Sequence, residues 1–149
     1  MNMERFEESE RGLTIEEVRA FEEEWGITLP KEFVDLYMAS NGGYPPFDVV
    51  GGEEYIYAID WFLPIKYGKL TIDMLLRDNR NEGIDMKGMI PFAADPHDNL
   101  FVISVAPADY GSVYIFGQKN DPGESSSYSF VCRSFTDFIT GLTNEYQDE

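Results

Sequence analysis

The sequence predicts one α+β domain, in which an N-terminal helix pair and a C-terminal helix pack on a mostly antiparallel sheet of five or six strands. Three observations predict this class. Residues 13–43 carry two amphipathic helical patterns, residues 54–132 carry short runs of aromatic and β-branched residues, and helical spacing returns after Ser134. At 149 residues, the chain is long enough to bury one core.

The first helix is predicted to begin after Thr14, whose hydroxyl can accept a backbone N–H. Glu17 follows three residues later and completes a capping box. One face of the helix is apolar, because four residues recur at spacings of three and four: Ile15, Val18, Phe21 and Trp25. The glutamates at 22–24 are expected mostly on the solvent side, and Gly26 ends the helix in the left-handed conformation.

The second helix is predicted to open at Pro30, where the missing N–H is tolerated. Its apolar face consists of Phe33, Leu36 and Tyr37. The run Asn41-Gly42-Gly43 then stops the helix and turns the chain. The two helices are therefore joined by a tight corner, residues 25–30.

Residues 54–62 predict a strand, because they are rich in aromatic and branched side chains. Alternation places Tyr55, Tyr57, Ile59 and Trp61 on one face. The other face carries Ile56, Ala58, Asp60 and Phe62. Since both faces are largely apolar, a central strand covered on both sides is favoured over an exposed aromatic platform that stacks sugars or bases.

Further strands are predicted at residues 65–67, 89–93, 100–105, 112–116 and 128–132. Pro91 places the second of these near a sheet edge. Residues 118–127 are polar and predict a loop.

Two more helices are predicted from their spacing. Residues 71–79 form a helix with Ile72, Leu75 and Leu76 inward, and Ser134 caps a final helix. The apolar face of that final helix comprises Phe135, Phe138, Ile139, Leu142 and Tyr146.

The helix pair and its corner resemble the SUKH superfamily, whose name-giving eukaryotic member is a yeast regulator of cell-wall synthesis. The resemblance rests on Phe21, Glu22, Trp25, Gly26, Leu29, Pro30, Phe33, Tyr37, Asn41, Gly42 and Gly43. Of these, the residues assigned a structural role are Trp25, Gly26, Leu29, Pro30, Asn41, Gly42 and Gly43. Residues 89–116 resemble a second family block, although its turn, residues 95–99, lacks the usual Gly.

Composition limits the classes of partner and the compartment. With 28 acidic and 11 basic residues, the net charge is −17, which disfavours nucleic acid and anionic membranes. The charge is typical either of a protein that attracts a basic protein partner or of one that it only keeps soluble. Like charge of this size also disfavours self-association, so we expect a monomer or weak dimer. A single cysteine, a charged N-terminus and no long apolar run predict a cytoplasmic protein. Residues 1–12 are predicted to be a flexible acidic lead-in, and residues 13–149 the domain.

Two residues are the candidates for chemistry. His97, the only histidine, lies among Asp95, Asp98 and Asn99, but turn formers in this pattern favour a solvated turn over a metal or acid–base site. Cys132 precedes a helix cap, and a buried structural thiol is favoured over a reactive one. We therefore expect no catalytic residue, metal or cofactor.

The resemblance implies that the chain binds other proteins, since bacterial members of the superfamily often neutralise polymorphic toxins, frequently nucleases. A non-enzymatic immunity protein with an acidic surface is the function predicted. A regulatory interaction scaffold of the cell-wall type is the alternative, and a hydrolase using His97 is the third. Loop position and charge nominate the partner-binding residues: Tyr44, Asp48, Glu53, Glu54, Tyr55, Asp95, Asp98, Asp109 and Tyr110.

Overall fold

The computed structural model describes residues 6–117 and 127–144. Within these ranges the helices are α1 (Ile15–Trp25), α2 (Lys31–Ala39), α3 (Ile72–Asn81) and α4 (Phe135–Thr140). The strands of the same ranges are β1 (Val49–Gly51), β2 (Ile56–Ala58), β3 (Trp61–Phe62), β4 (Met89–Ala94), β5 (Leu100–Ser104), β6 (Val113–Phe116), β7 (Tyr128–Cys132) and β8 (Leu142–Thr143). The predicted α+β class is confirmed.

The described strands divide between two antiparallel sheets. A sheet of five strands has the order β3-β4-β5-β6-β7, and a sheet of three strands has the order β2-β1-β8. The small sheet joins segments that are far apart in the sequence, because β1 pairs with β8 through Val49–Thr143 and Val50–Leu142. Its formation places β2 at an outer edge of the fold.

An aromatic cluster joins the helices to the large sheet. Phe92 of β4 lies 5.3 Å from Phe135 and 5.1 Å from Phe138, measured between ring centroids. Phe33 of α2 lies 5.0 Å from Phe135. All four rings are fully buried, so this cluster is the centre of the core.

The start and end of α1 are as predicted. The Glu17 N–H donates to Thr14 Oγ1 at 3.1 Å, and the Thr14 N–H donates to Glu17 Oε1 at 2.9 Å. Gly26 ends the helix with φ of 66°. Val18 and Phe21 are buried as expected, whereas Ile15 remains exposed at the first turn.

The prediction that Glu22 faces solvent is wrong. The residue is only 8% exposed, and its Oε2 accepts the N–H of Leu29 at 2.8 Å. Its Oε1 accepts a hydrogen bond from Arg19 Nη1, also at 2.8 Å. The corner folds back over α1, so the carboxylate provides the acceptor for a buried N–H of the corner. Glu22 thus holds the two helices at their angle.

The second helix begins one residue later than predicted. Pro30 is the residue that precedes α2, with φ of −58°, and Lys31 is the first helical residue. Phe33 and Tyr37 are buried, and Leu36 is half-buried. The Tyr37 hydroxyl donates to the Leu63 carbonyl at 2.7 Å, which fastens α2 to the segment after β3.

Asn41 joins three separate segments of the chain. Its side chain is buried, and Nδ2 donates to the carbonyls of Arg11 and Ile65, each at 2.9 Å. Its Oδ1 accepts the N–H of Ile65 at 2.8 Å. The amide therefore serves as both donor and acceptor for backbone groups that no regular ladder satisfies.

The two glycines after Asn41 are required by close backbone approach. Gly42 and Gly43 have φ of 75° and 111°. A Cβ at Gly42 would lie 2.8 Å from the Pro64 nitrogen, and one at Gly43 would lie 2.5 Å from the Glu7 carbonyl oxygen. Both conformation and contact therefore exclude other residues.

The described part of the predicted lead-in packs on the domain. Phe6 is buried with its ring centroid 4.8 Å from that of Phe62. Glu7 and Tyr44 exchange backbone hydrogen bonds of 2.9 and 2.8 Å, and the Glu10 N–H donates to the Asn41 carbonyl at 3.0 Å. These contacts attach residues 6–10 to the domain. Residues 1–5 lie outside the described ranges. The start of the domain at residue 13 stays a prediction.

The predicted strand at 54–62 is two strands in different sheets. The chain leaves the small sheet at Ile59, and the Asp60 N–H donates to the Ala94 carbonyl of the large sheet at 2.9 Å. Tyr55 and Ile56 are 65% and 75% exposed. The prediction of a central strand covered on both sides is therefore wrong for β2, because the strand changes partners halfway.

Two smaller differences concern the segment after β3 and the strand β4. Residues 65–67 form no strand, since Ile65 bonds to Asn41 instead. The strand β4 is buried throughout and lies between β3 and β5, with Pro91 accommodated at a register shift, so the predicted edge position is wrong.

The predicted final helix is too long. It ends at Thr140, and Leu142 enters β8. Tyr146 and nearly all of the predicted loop, residues 118–126, lie outside the described ranges. The other predicted strands and α3 are confirmed to within two residues at each end.

We expect the substitution Asn41→Ala to lower the free energy of unfolding by about 2–4 kcal/mol, because the buried N–H and C=O of Ile65 and the partly buried C=O of Arg11 lose their partner. Chemical denaturation monitored by fluorescence measures this. The matched control Asn81→Ala, at the exposed end of α3, is expected to change stability by less than about 0.5 kcal/mol. Equal effects at the two positions would contradict the role of Asn41.

A second prediction concerns Glu17, whose carboxylate binds Lys66 Nζ at 2.8 Å and the Tyr67 hydroxyl. These hydrogen bonds, that of Lys66 foremost, lower the pKa of Glu17 from 4.5 to about 2. A lowered pKa in the folded state stabilises the fold above pH 4.5, and this stabilisation is lost as pH falls toward 2.

We therefore expect Glu17→Gln to be less stable than the parent protein at pH 7, with a difference that shrinks between pH 4.5 and pH 2. Urea midpoints measured across this range provide the test. Glu16→Gln, in the same helical turn, is the control and should show no comparable convergence. A difference that stays constant with pH would contradict the lowered pKa of Glu17, since Gln at this position also completes a capping box.

Candidate partner-binding surface

The tip of the β1–β2 hairpin is docked on the last strand of the large sheet. The Gly52 N–H donates to the Tyr55 carbonyl at 2.8 Å and closes the turn, and the Glu53 N–H donates to the Val131 carbonyl at 2.8 Å. A Cβ at Gly52 would lie 2.9 Å from the same Val131 oxygen. The glycine therefore allows the hairpin to approach β7.

The outer side of this hairpin exposes large apolar side chains. We call Glu53, Glu54, Tyr55, Ile56 and Ala58 the hairpin surface. Tyr57 lies behind it, with its ring centroid 6.3 Å from that of Tyr55 and its hydroxyl 3.5 Å from the Phe130 carbonyl. Phe130 is itself 42% exposed. Exposed aromatic and branched side chains next to carboxylates are typical of protein-binding sites.

Positive charge is scarce around the hairpin surface. Residues 41–65 contain four acidic residues and no Lys or Arg, and residues 88–117 contain three acidic residues and again no Lys or Arg. Among the described residues, Arg133 forms the one salt bridge to the surface, with Nε 3.3 Å from Glu53 Oε2. The other salt bridges given by the described residues lie on the helices or the segment before α3: Arg19–Glu22, Lys31–Asp35, Lys66–Glu17, Arg77–Glu24, Arg77–Asp73 and Arg80–Glu24.

The structure brings some of the predicted partner-binding residues together and separates others. Glu53, Glu54 and Tyr55 lie side by side at the hairpin tip, and Asp48 lies at the other end of the hairpin, where its carbonyl accepts the Ile59 N–H at 3.0 Å. Tyr44 lies elsewhere, paired with Glu7.

Asp109 and Tyr110 are already engaged within the domain. Asp109 accepts hydrogen bonds from the Ser104 hydroxyl at 2.5 Å and the Tyr114 hydroxyl at 2.6 Å. Burial, together with the Asp109 carboxylate, raises the pKa of Tyr114 to about 12. The Tyr110 hydroxyl donates to the Thr28 carbonyl at 2.6 Å, so this residue lies against the helix corner.

The turn that contains His97 is organised by Asp95. The buried Asp95 carboxylate accepts the N–H groups of His97 and Asn99, both at 2.8 Å, and the Asn99 side chain at 2.9 Å. Asp98 has φ of 68° and takes the left-handed conformation that a Gly would otherwise supply. Asp95 and Asp98 thus determine the conformation of this turn. Among the described residues, no group of His, Cys, Asp and Glu side chains is arranged to bind a metal ion.

Cys132 is buried, as predicted, and its Sγ lies 3.4 Å from the Ser134 carbonyl oxygen. Burial raises the pKa of this thiol to about 12. Since the thiolate is the nucleophile, a thiol in this state is unreactive at neutral pH.

Sequence reasoning missed Ile56, Ala58 and Phe130 as surface residues. Apolar residues within predicted strands are assigned to the core by default. No signal in the sequence marks β2 as an edge, because its exposure follows from the way the chain passes between two sheets.

The profile of the SMI1 / KNR4 family (SUKH-1) matches residues 12–141. The chain belongs to this family. SUKH-1 proteins are in general immunity or regulatory domains. No curated protein matches the chain significantly. Family membership confirms the resemblance seen in the helix pair and in residues 89–116.

The SUKH-1 motif residues of this chain build the scaffold. Trp25 lies under the Arg80 guanidinium, 4.4 Å from its carbon, Leu29 is bound by Glu22, and Asn41 joins three segments. The hairpin surface lies outside that motif. Scaffold and candidate binding surface are therefore separate in this SUKH-1 domain.

None of the helices in the described ranges is both long enough and apolar enough to cross a bilayer.

We expect Cys132 to react with a disulfide-exchange reagent at pH 8 only when the protein unfolds, because roughly one thiol in ten thousand is ionised at a pKa of about 12. Absorbance of the released thiolate measures the rate in native buffer and in urea. Free glutathione is the control for reagent activity. Rapid labelling of the native protein would contradict the burial of this thiol.

Proposed function

We propose that this SUKH-1 domain is a non-enzymatic immunity protein, which binds a toxin domain and blocks it through the hairpin surface. The observation that carries the proposal is the combination of exposed Tyr55 and Ile56 with carboxylates that few cations neutralise. Burial of the exposed aromatic and branched side chains against a partner would contribute binding energy, and the surrounding negative charge would favour a basic partner.

The acidic surface favours a partner with a basic face. A nuclease toxin is one such partner, because its active site must attract phosphate and is therefore positively charged. A net charge of −17 steers a protein of this kind toward the domain and raises the association rate.

Two observations support binding over chemistry. Cys132 is buried with a raised pKa, and the groups closest to the His97 backbone are used to hold its turn. A hydrolase would need a nucleophile or a bound metal within reach of its base. The family is equally compatible with a regulatory domain, in which case the partner is a component of a signalling assembly.

Coexpression with the product of the adjacent gene provides the direct test. We expect the domain to copurify with that product and to restore growth of cells in which it is toxic. A purified domain that turns over a substrate alone, or an adjacent product that is neither bound nor neutralised, would contradict the immunity proposal.

Charge reversal at the hairpin tip is the sharper prediction. Glu54→Lys should weaken binding to that partner by about tenfold, because it places a cation against a basic face. The control Glu23→Lys makes the same charge change on an exposed position of α1 and should have a much smaller effect. Calorimetry at two salt concentrations measures both, and affinity should fall as salt rises. Equal losses in the two variants would remove the hairpin surface from the interface.

A further inference from the structure

We infer that the partner contributes an extended, basic segment, which adds to the free edge of β2 as a further strand of the small sheet. This inference rests on the proposed function and specifies how the hairpin surface would be used. It combines three features of β2: its position in the sheet, the direction of its backbone groups and the charge at its two ends.

The backbone of β2 has one bonded side and one open side. The Tyr55 carbonyl and the Ile59 N–H both bond toward β1, at 2.8 and 3.0 Å. The direction of backbone hydrogen bonds alternates along an antiparallel strand. The N–H and C=O groups of Tyr57 therefore also point toward β1, and those of Ile56 and Ala58 point outward.

Nothing in the described ranges covers that open side. The sheet order β2-β1-β8 makes β2 an edge strand, and no described residue bonds to the outward groups of Ile56 or Ala58. Ile56 is 75% exposed, and Ala58 is also exposed. An exposed edge of this kind is a ready template for a strand from another chain.

The charges at the two ends of β2 specify the added segment. Glu53 and Glu54 precede the strand, and Asp60 follows it; Asp48, the residue before β1, lies beside Ile59. The strand itself is about 10 Å long, given a rise of about 3.3 Å per residue. A segment with Lys or Arg at both ends of a short apolar run would therefore meet a carboxylate at each end.

A second copy of this chain fits the same edge poorly. Antiparallel pairing of two β2 strands about Tyr57 would place Glu54 opposite Asp60 of the other copy at both ends. Like charges directly opposite one another destabilise a strand pair. The charges that attract a basic segment thus also prevent edge-to-edge dimers.

A synthetic peptide tests the inference on the intact domain. The probe is the capped peptide Lys-Lys-Val-Val-Val-Lys-Lys, which has this pattern, titrated at low salt and followed by backbone amide NMR. We expect binding with a dissociation constant of about 1 mM or tighter, and chemical-shift changes largest at the amides of Ile56 and Ala58. The inward-facing amide of Tyr57 serves as the internal reference and should move less.

Two peptide controls separate strand addition from charge attraction. Replacing every Lys by Glu should abolish binding. N-methylation of all residues between the terminal lysines keeps the charge but removes the backbone donors, and it should weaken binding by about tenfold or more. Equal binding of the methylated peptide, shifts confined to another surface, or no binding would each overturn strand addition.

A backbone substitution provides the matching test on the protein. Ala58→Pro removes an outward N–H and adds little bulk, and Pro is tolerated at such edge positions. This substitution should weaken binding of the peptide by about tenfold, whereas Ala58→Ser should leave the affinity unchanged. The thermal unfolding midpoint of each variant shows whether it is folded. If the Ala58→Pro variant does not fold, the affinity of the N-methylated peptide for the unmodified domain decides whether strand addition occurs. A dimer that forms through β2 in the absence of peptide would overturn the choice of occupant.

Failure here is distinguishable from failure of the proposed function. If the adjacent gene product binds but neither the peptide nor Ala58→Pro shows an effect at β2, then strand addition is wrong and the immunity proposal stands. If that product does not bind at all, the immunity proposal itself fails.

Discussion

The junction formed by Asn41, Gly42 and Gly43 is the constraint on which the rest of the fold depends. One buried amide satisfies backbone groups of Arg11 and Ile65, and two glycines allow the chain to pass against Glu7 and Pro64. It joins residues 6–11, the end of α2 and the segment leading to α3 at one point. Buried hydrogen bonds of this kind fix a single arrangement as well as adding stability.

The helix corner is fixed by a comparable device. Glu22 lies on α1 and holds the Leu29 N–H, so the direction of α2 follows from one carboxylate. Phe33 of α2 then reaches the aromatic cluster on β4, and Tyr37 bonds to the Leu63 carbonyl. These residues of the helix pair therefore act by orienting helices on a sheet.

In the part of the chain that the structure describes, the outer edge of the small sheet has no covering element. The hairpin surface extends from the domain on the small sheet, with Tyr55 and Ile56 exposed and acidic residues at both ends of β2. Most of the salt bridges among the described residues lie on the helical side, so negative charge is least compensated where the apolar side chains are exposed. A surface of this composition selects a basic partner and disfavours a second copy of the chain.

The sequence by itself determined the class of the fold, the capping box of α1, the Gly26 stop, the buried Cys132 and the family, because each follows from residues close together in the chain. Loop position and charge also nominated Glu53, Glu54 and Tyr55 as partner-binding residues, which stays a prediction. Only the tertiary structure decided that Glu22 is buried, that residues 54–62 divide between two sheets, and that Leu142 leaves the last helix to pair with Val50. These outcomes depend on partners far away in sequence, and neither periodicity nor local propensity contains information about which strand will lie next to another.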